Sequence, residues 1–286
     1  MPKVLITGVN GNIGSALKKA LVAKGDVVID LPDNAKRIQN LDYFDAIPNP
    51  DQIDLIYHLA AASFVPKSWE HPHDFLETNL MGTSRVLEFC RQYAIRLVYV
   101  SSYAYGIPQY LPIDENHPIA AANPYGLSKI MAEELCQFYG ENYNLSYAII
   151  RPFNVYGTLK NKALLIPEII EQIKAGKEIN VKDLRPKRDY IFIDDLIELL
   201  VLAQSHTNNE VYNAGSGASY SVKDIIDACQ MVFETNLPVH SAEQERKNEI
   251  PETLCNISKV KKTFGWEPKY NFIDGIKAIK QRLDLG

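Results

Sequence analysis

Val4-Leu5-Ile6-Thr7-Gly8-Val9-Asn10-Gly11-Asn12-Ile13-Gly14 decides how the chain is read. Three apolar residues form a short buried-strand pattern, glycines break it at positions 8, 11 and 14, and a helical pattern over 15–24 follows at once. Strand, glycine turn and helix in direct succession are the context that a phosphate-binding turn requires. The glycines permit a tight turn, let backbone approach a pyrophosphate and allow close packing of helix on strand. Asn12 and Ile13 open the helix, whose N-terminus offers N–H groups to phosphate oxygens. A dinucleotide site at Gly8, Gly11, Asn12, Ile13 and Gly14 is the resulting expectation.

Further along, apolar runs at 27–29, 53–58, 97–100 and 147–150 read as buried strands, and helical patterns cover 82–93 and 125–143. Strands alternating with helices imply right-handed crossovers and a parallel sheet covered on both faces, an α/β fold. After Gly157 the elements shorten, with helices over 166–175, 194–203, 222–233 and 258–264 joined by polar, proline-bearing loops. The expected division is a dinucleotide-binding domain over 1–156 and a smaller lobe over 157–286, with the chain free to cross between them. Asp30 closes the second strand, where a carboxylate accepts hydrogen bonds from ribose hydroxyls and repels a 2′-phosphate, so NAD is expected over NADP. Arg37 lies near enough in sequence to modify that preference, and Asn40-Leu41-Asp42 is a candidate adenine contact.

A second constellation sits at Asn123-Pro124-Tyr125-Gly126-Leu127-Ser128-Lys129. Proline suits a helix start, and positions i and i+4 share a face, so the phenol and the ammonium point the same way. An ammonium beside a phenol favours the phenolate and moves it toward proton exchange near neutral pH. Lys129 is also placed to hydrogen-bond the nicotinamide ribose. Val98-Tyr99-Val100-Ser101-Ser102 is an apolar strand that ends in hydroxyls at the carboxyl edge, where open α/β sheets bind ligands. Alternation along the strand selects Ser102 over Ser101 as the hydroxyl facing Tyr125.

The 286 residues carry a net charge of -5 without a run of Lys and Arg, which argues against nucleic acid or an anionic membrane as a partner. No apolar stretch approaches the roughly 20 residues of a membrane span. The N-terminus starts on a strand and lacks a signal-peptide pattern. Cys90, Cys136, Cys229 and Cys255 are widely spaced and read as free thiols, consistent with a cytoplasmic protein. No metal is expected: His71-Pro72-His73 reads as a solvated loop and Asp194-Asp195 as a helix start.

With these residues in place, the chain resembles the NAD-dependent epimerase/dehydratase family of nucleotide-sugar enzymes, extended short-chain dehydrogenases/reductases that include the UDP-glucose 4-epimerases. The spacing Gly-x-x-Gly-x-x-Gly after Thr7 matches that type, whereas most other NAD enzymes use Gly-x-Gly-x-x-Gly. The resemblance spans nearly the whole chain and implies a Rossmann-type doubly wound parallel sheet with a smaller C-terminal α/β substrate lobe. It implies that Leu59, Ala60 and Ala61, following His58, lie beside the cofactor and that Asn79 touches it. Ser102, Tyr125 and Lys129 match the family's catalytic residues. In Arg151-Pro152-Phe153-Asn154-Val155-Tyr156-Gly157, Asn154 matches a substrate contact, while Arg188 and Arg246 match arginines that hold the nucleotide diphosphate. The alternative for these arginines is ion pairing with Asp189 and Glu249. A homodimer through the helices at 82–93 and 125–143 is implied as well.

Two loops depart from the family pattern: Thr158-Leu159-Lys160 replaces a proline and a longer loop, and 182–187 lacks the usual glycines. The relatives that dehydrate carry Asp-Glu after the catalytic threonine, but Tyr103-Ala104 stands here, so dehydration is not expected. The leading expectation is 4-epimerisation of a UDP-hexose or UDP-N-acetylhexosamine with retained NAD. The alternatives are an NAD(P)H-dependent nucleotide 4-ketosugar reductase and a non-catalytic dinucleotide-binding scaffold. Thr253 falls where relatives vary in bulk beside the sugar.

Overall fold

The structure, a computed structural model, describes residues 1–29, 38, 43–45, 47–159, 161–244 and 249–284. Asp30, Arg37, Asn40-Leu41-Asp42 and Arg246 therefore lie outside the described residues.

The opening motif folds as β1 (Lys3–Thr7) and α1 (Asn12–Lys24), and β2 (Val27–Ile29) pairs parallel to β1. β3 (Leu55–His58) pairs with the other side of β1, placing Val4 opposite Leu55 and Thr7 opposite His58. β4 (Arg96–Val100) and β5 (Tyr147–Pro152) continue the parallel sheet. Between β3 and β4 the chain forms α2 (Val65–Glu70), α3 (Pro72–Phe75), a π-helical turn (Leu76–Met81) and α4 (Gly82–Tyr93). α5 (Pro124–Tyr143) precedes β5. His71 and His73 flank or lie within the short α3, both exposed, where the sequence reads as a loop.

Then follow β6 (Asn154–Tyr156), α6 (Leu165–Ala175), β7 (Ile179–Val181), β8 (Lys187–Phe192), α7 (Ile193–Ala203) and β9 (Glu210–Ala214). The C-terminal part adds β10 (Ser219–Ser221), α8 (Val222–Phe233), β11 (Val239–Ser241), α9 (Ser258–Phe264) and α10 (Phe272–Asp284). The main sheet runs β2-β1-β3-β4-β5-β9, and β10-β8-β6 and β11-β7 form two smaller sheets. No helix among the described residues is long and apolar enough to cross a membrane.

Two compact units result. The first comprises Met1–Gly106, Pro118–Arg151 and Ile197–Tyr212; the second comprises Ile107–His117, Pro152–Leu196 and Asn213–Gly286. In the first, Leu5, Ile56, Leu97, Tyr99 and Ile149 of the strands pack with Leu87 and Cys90 of α4 and Ala132 and Cys136 of α5. In the second, α6, α8 and α10 bury Ile169, Ile170, Ile225, Ile226, Cys229, Phe272 and Ile276 with Phe192 of β8. All four cysteines are buried free thiols. One strand expected to be buried is not: β2 is an edge strand whose Val27 is exposed, because β1 covers only one of its sides.

Candidate functional site

The glycine turn is built for close approach. Gly8 sits at φ +75, a left-handed conformation that favours glycine, and a Cβ there would lie 2.7 Å from the Ala60 nitrogen. A Cβ on Gly14 would lie 2.2 Å from the Gly8 carbonyl oxygen, so α1 can meet the turn only with hydrogen at that position. Gly11 donates its N–H to Gly8 O at 3.0 Å and stands at the N-cap of α1, with no side-chain cap and no acid in the first turn. The helix thus presents its positive end and first-turn N–H groups without a built-in anion, which fits a dinucleotide pyrophosphate. The backbone of Leu59 and Ala60 forms the wall facing Gly8, and half-buried Ala61 continues that turn.

Behind this cradle runs a hydrogen-bond chain that sequence reasoning missed. Ala60 N–H donates to Thr7 Oγ1 at 3.3 Å, and Thr7 Oγ1 meets His58 Nδ1 at 2.7 Å. His58 Nε2 lies 2.9 Å from Thr83 Oγ1, which donates its own proton to Asn79 O at 2.5 Å. That last bond fixes all the directions: Thr83 must accept from His58 Nε2–H, so Nδ1 accepts from Thr7. Burial, helped by the Lys129 charge, holds the imidazole down to about 3, so it works as a neutral link.

Asn79, a candidate cofactor contact, lies buried in the π-helical turn and grips the protein. Its Oδ1 accepts from Ala62 N–H at 2.8 Å, and its Nδ2 donates to Ala62 O at 3.0 Å and to Ser128 Oγ at 2.9 Å. Ser128 Oγ donates in turn to Tyr125 O at 2.7 Å. The loop after β3 and the first turn of α5 are therefore joined through one amide. Thr7 carried a faint signal as a hydroxyl closing the apolar run Val4-Leu5-Ile6, whereas Thr83 and Ser128 stand among polar neighbours and carried none.

α5 begins as the sequence implies: Asn123 Oδ1 accepts from Gly126 N–H at 2.8 Å, and Pro124 occupies the first turn. The Ser102 hydroxyl lies close enough to Tyr125 to act on its phenol, whereas Ser101 is buried with its Oγ unpartnered among the described residues. Burial raises the Tyr125 phenol above its ordinary value, and the Ser102 hydroxyl pulls it back down. Lys129 is buried, donates to Val100 O at 2.7 Å and sits 4.3 Å over the ring of Tyr99. Burial pushes its ammonium down to about 7, with Glu133 and Cys136 drawing it back up. The lysine read from the sequence as an ammonium beside the phenol is thus held by burial near the point where it loses its proton.

In the second unit, Asn154 Nδ2 donates to Asp189 O at 3.0 Å, across the β6–β8 pairing. Arg188 donates to Lys187 O at 2.8 Å and forms an ion pair with Glu249. The buried carboxylate of the neighbouring Asp189 accepts from Ser216 N–H (2.7 Å), Gly217 N–H (2.9 Å) and Cys255 N–H (3.1 Å). Thr253 is fully buried, and its Oγ1 accepts from Asp189 N–H at 3.4 Å. Asp195 also accepts from distant backbone, Lys269 N–H at 2.9 Å and Tyr270 N–H at 3.2 Å.

Comparison with known proteins places this geometry in context. Residues 4–215 match the model of the NAD dependent epimerase/dehydratase family. A UDP-glucose 4-epimerase of Halalkalibacterium halodurans is 30% identical over 306 residues, covering 93% of this chain and 91% of that protein. Among solved structures, RMD from Pseudomonas aeruginosa complexed with NADPH superposes with a TM-score of 0.91 at 25% identity, covering 98% of each chain. The UDP-glucose 4-epimerase of Thermus thermophilus in complex with NAD gives a TM-score of 0.87 at 25% identity, covering 99% of each chain.

Proposed function

We propose that this chain, which belongs to the NAD dependent epimerase/dehydratase family, is a nucleotide-sugar 4-epimerase acting on a UDP-hexose or UDP-N-acetylhexosamine. The observation that carries the reading is the Ser102 hydroxyl acting on the Tyr125 phenol after the carboxyl end of β4, one helical turn from buried Lys129, with Tyr103-Ala104 where a dehydrating acid pair would stand. The cradle of Gly8, Gly11, Asn12, Ile13 and Gly14, walled by Leu59, Ala60 and Ala61, holds NAD. When bound, NAD supplies the acceptor and donor of the C4 hydride.

The chain's own part is the proton. Tyr125 takes the proton of the 4-hydroxyl as the C4–H bond breaks and the C4 carbonyl forms; Ser102 donates a hydrogen bond to that oxygen. After the 4-keto sugar turns, Tyr125 returns the proton as hydride adds to the opposite face. Lys129 in its charged form stabilises the phenolate, which burial alone disfavours. Asn79 acts mainly through Ala62 and Ser128, holding cradle and catalytic helix in register. Asn154 and Arg188 are assigned to the substrate, with Arg188 exchanging Glu249 for a phosphate. The same proposal includes a homodimer through α4 and α5, supported by the exposed Leu127, Phe138 and Tyr143 of α5.

The test is to incubate purified protein, without added cofactor, with UDP-glucose and with UDP-N-acetylglucosamine and to separate the 4-epimers. Epimer formation is the expected result; none, with NAD also supplied, overturns the assignment for these sugars. A second reading, a 4-ketosugar reductase using the same residues, is favoured by the NADPH held in the Pseudomonas aeruginosa neighbour. It requires exchangeable NADH or NADPH and no epimerisation.

A further inference from the structure

We propose that the buried pair Arg151–Glu133 is a counter-charge for Lys129: Glu133 holds the ammonium in its protonated form, and Arg151 limits how strongly it does so. Both are positioning residues that act through Lys129, and the inference rests on the assignment of Lys129 to the reacting site.

Glu133 follows Lys129 by one helical turn of α5, on the same face, and both are buried. Arg151, at the end of β5, donates from Nε to both Glu133 carboxylate oxygens at 3.0 Å each. Its Nη1 donates to the Tyr105 hydroxyl at 2.7 Å, and its guanidinium lies 5.1 Å from the centre of that ring. The side chains of Arg151 and Glu133 are each 4% exposed, so the pair is desolvated on all sides. Such a pair is a poor means of holding helix to strand, because apolar side chains of similar volume stabilise as well or better. Its presence one turn from a buried ammonium calls for an electrostatic reason.

The surroundings supply it. Besides Glu133, α5 brings Cys136 to Lys129; β3 contributes His58 and β4 contributes Tyr99, with Tyr125 beyond Tyr99 and Cys90 of α4 behind Cys136. Burial drives the imidazole down and the two thiols and two phenols up, so all of these are uncharged near neutrality. Among these described groups, Glu133 and Arg151 are the formal charges left to act on Lys129. A carboxylate at this range favours the ammonium, and a guanidinium beyond it opposes.

The two charges act with opposite signs, which no loss of packing imitates. Full-length protein labelled with 13C at the lysine ε-carbon is titrated by NMR, with the Lys129 resonance identified by its absence in Lys129→Met. Arg151→Met is expected to raise the Lys129 midpoint and Glu133→Gln to lower it, each by about 1 to 3 pH units. The double variant Glu133→Gln/Arg151→Met is expected below wild type, between the two single variants. Movement of both single variants in one direction, or no movement, overturns the proposal. Should a single variant fail to fold, Glu133→Asp, which keeps the charge, is expected to hold the midpoint while the neutral double variant lowers it; equal displacement by both overturns the proposal. The readout does not depend on the sugar: midpoints that move as stated in a protein that epimerises nothing retire the proposed reaction and keep the counter-charge. Unmoved midpoints in an active epimerase do the reverse.

Discussion

Replacing Lys129 by Met should remove a pH dependence of stability that burial of the ammonium imposes on the cofactor-free fold. Burial pushes the lysine down to about 7 in the folded chain from its ordinary 10.5. Between those limits the unfolded chain binds more protons than the folded one, so wild-type stability rises with pH across that window. Below pH 7 the full penalty is on the order of 5 kcal/mol, and about 2 kcal/mol of it is relieved between pH 7 and pH 9. Methionine fills the space of the lysine stem without a charge. It forfeits the 2.7 Å bond to Val100 O, worth about 1 kcal/mol, while the attraction of the ammonium to the Tyr99 ring is already contained in the titration. The variant should therefore be more stable than wild type by roughly 3 kcal/mol at pH 7, falling to about 1 kcal/mol by pH 9. Urea unfolding of the cofactor-stripped proteins at pH 7, 8 and 9 measures the difference. A constant difference across the window, or a variant less stable than wild type at pH 7, refutes the reasoning.

Tyr125→Phe should keep the fold and bound nucleotide but lower turnover by about 10²–10⁴-fold, the range for loss of a general acid–base; unchanged turnover in a steady-state assay would refute its role in proton transfer. Gly14→Ala places a methyl 2.2 Å from the Gly8 carbonyl, so the turn must open and NAD released on denaturation should fall well below one per chain. Thr83→Val leaves His58 Nε2–H and Asn79 O without that partner and should cost about 1–3 kcal/mol in chemical denaturation, with Thr83→Ser restoring most of it. Glu249→Gln weakens the competitor for Arg188 and should tighten UDP binding several-fold by calorimetry, whereas Arg188→Met should raise KM more than it lowers kcat.

The parts legible in the sequence are those whose chemistry is local. Gly8 and Gly14 announced a turn because backbone conformation and close approach exclude a side chain there. Tyr125 and Lys129 were legible from helical spacing, and the choice of Ser102 over Ser101 from strand alternation. What stayed hidden depends on partners far apart in the chain. His58 looks like one more strand residue until the β1–β3 register sets it beside Thr7. Arg151 and Glu133 lie in different elements, and only the packing of α5 against the sheet joins them. Residues 197–212 return to the first unit although they follow the expected boundary, since hydrophobic pattern gives an element's type and not the unit it packs in. Thr253 is another such case: its side chain is wholly buried beside Asp189, a partner far off in the chain.

The central claim, proton transfer by Tyr125 during hydride removal and return at one carbon, is tested most directly with UDP-glucose deuterated at C4. Mass spectrometry of the epimer formed in ordinary water should find the deuterium still at C4, with no exchange from solvent, and Tyr125→Phe should suppress its formation. Epimer that has lost the label to solvent, or epimer formed equally well by the variant, contradicts the account.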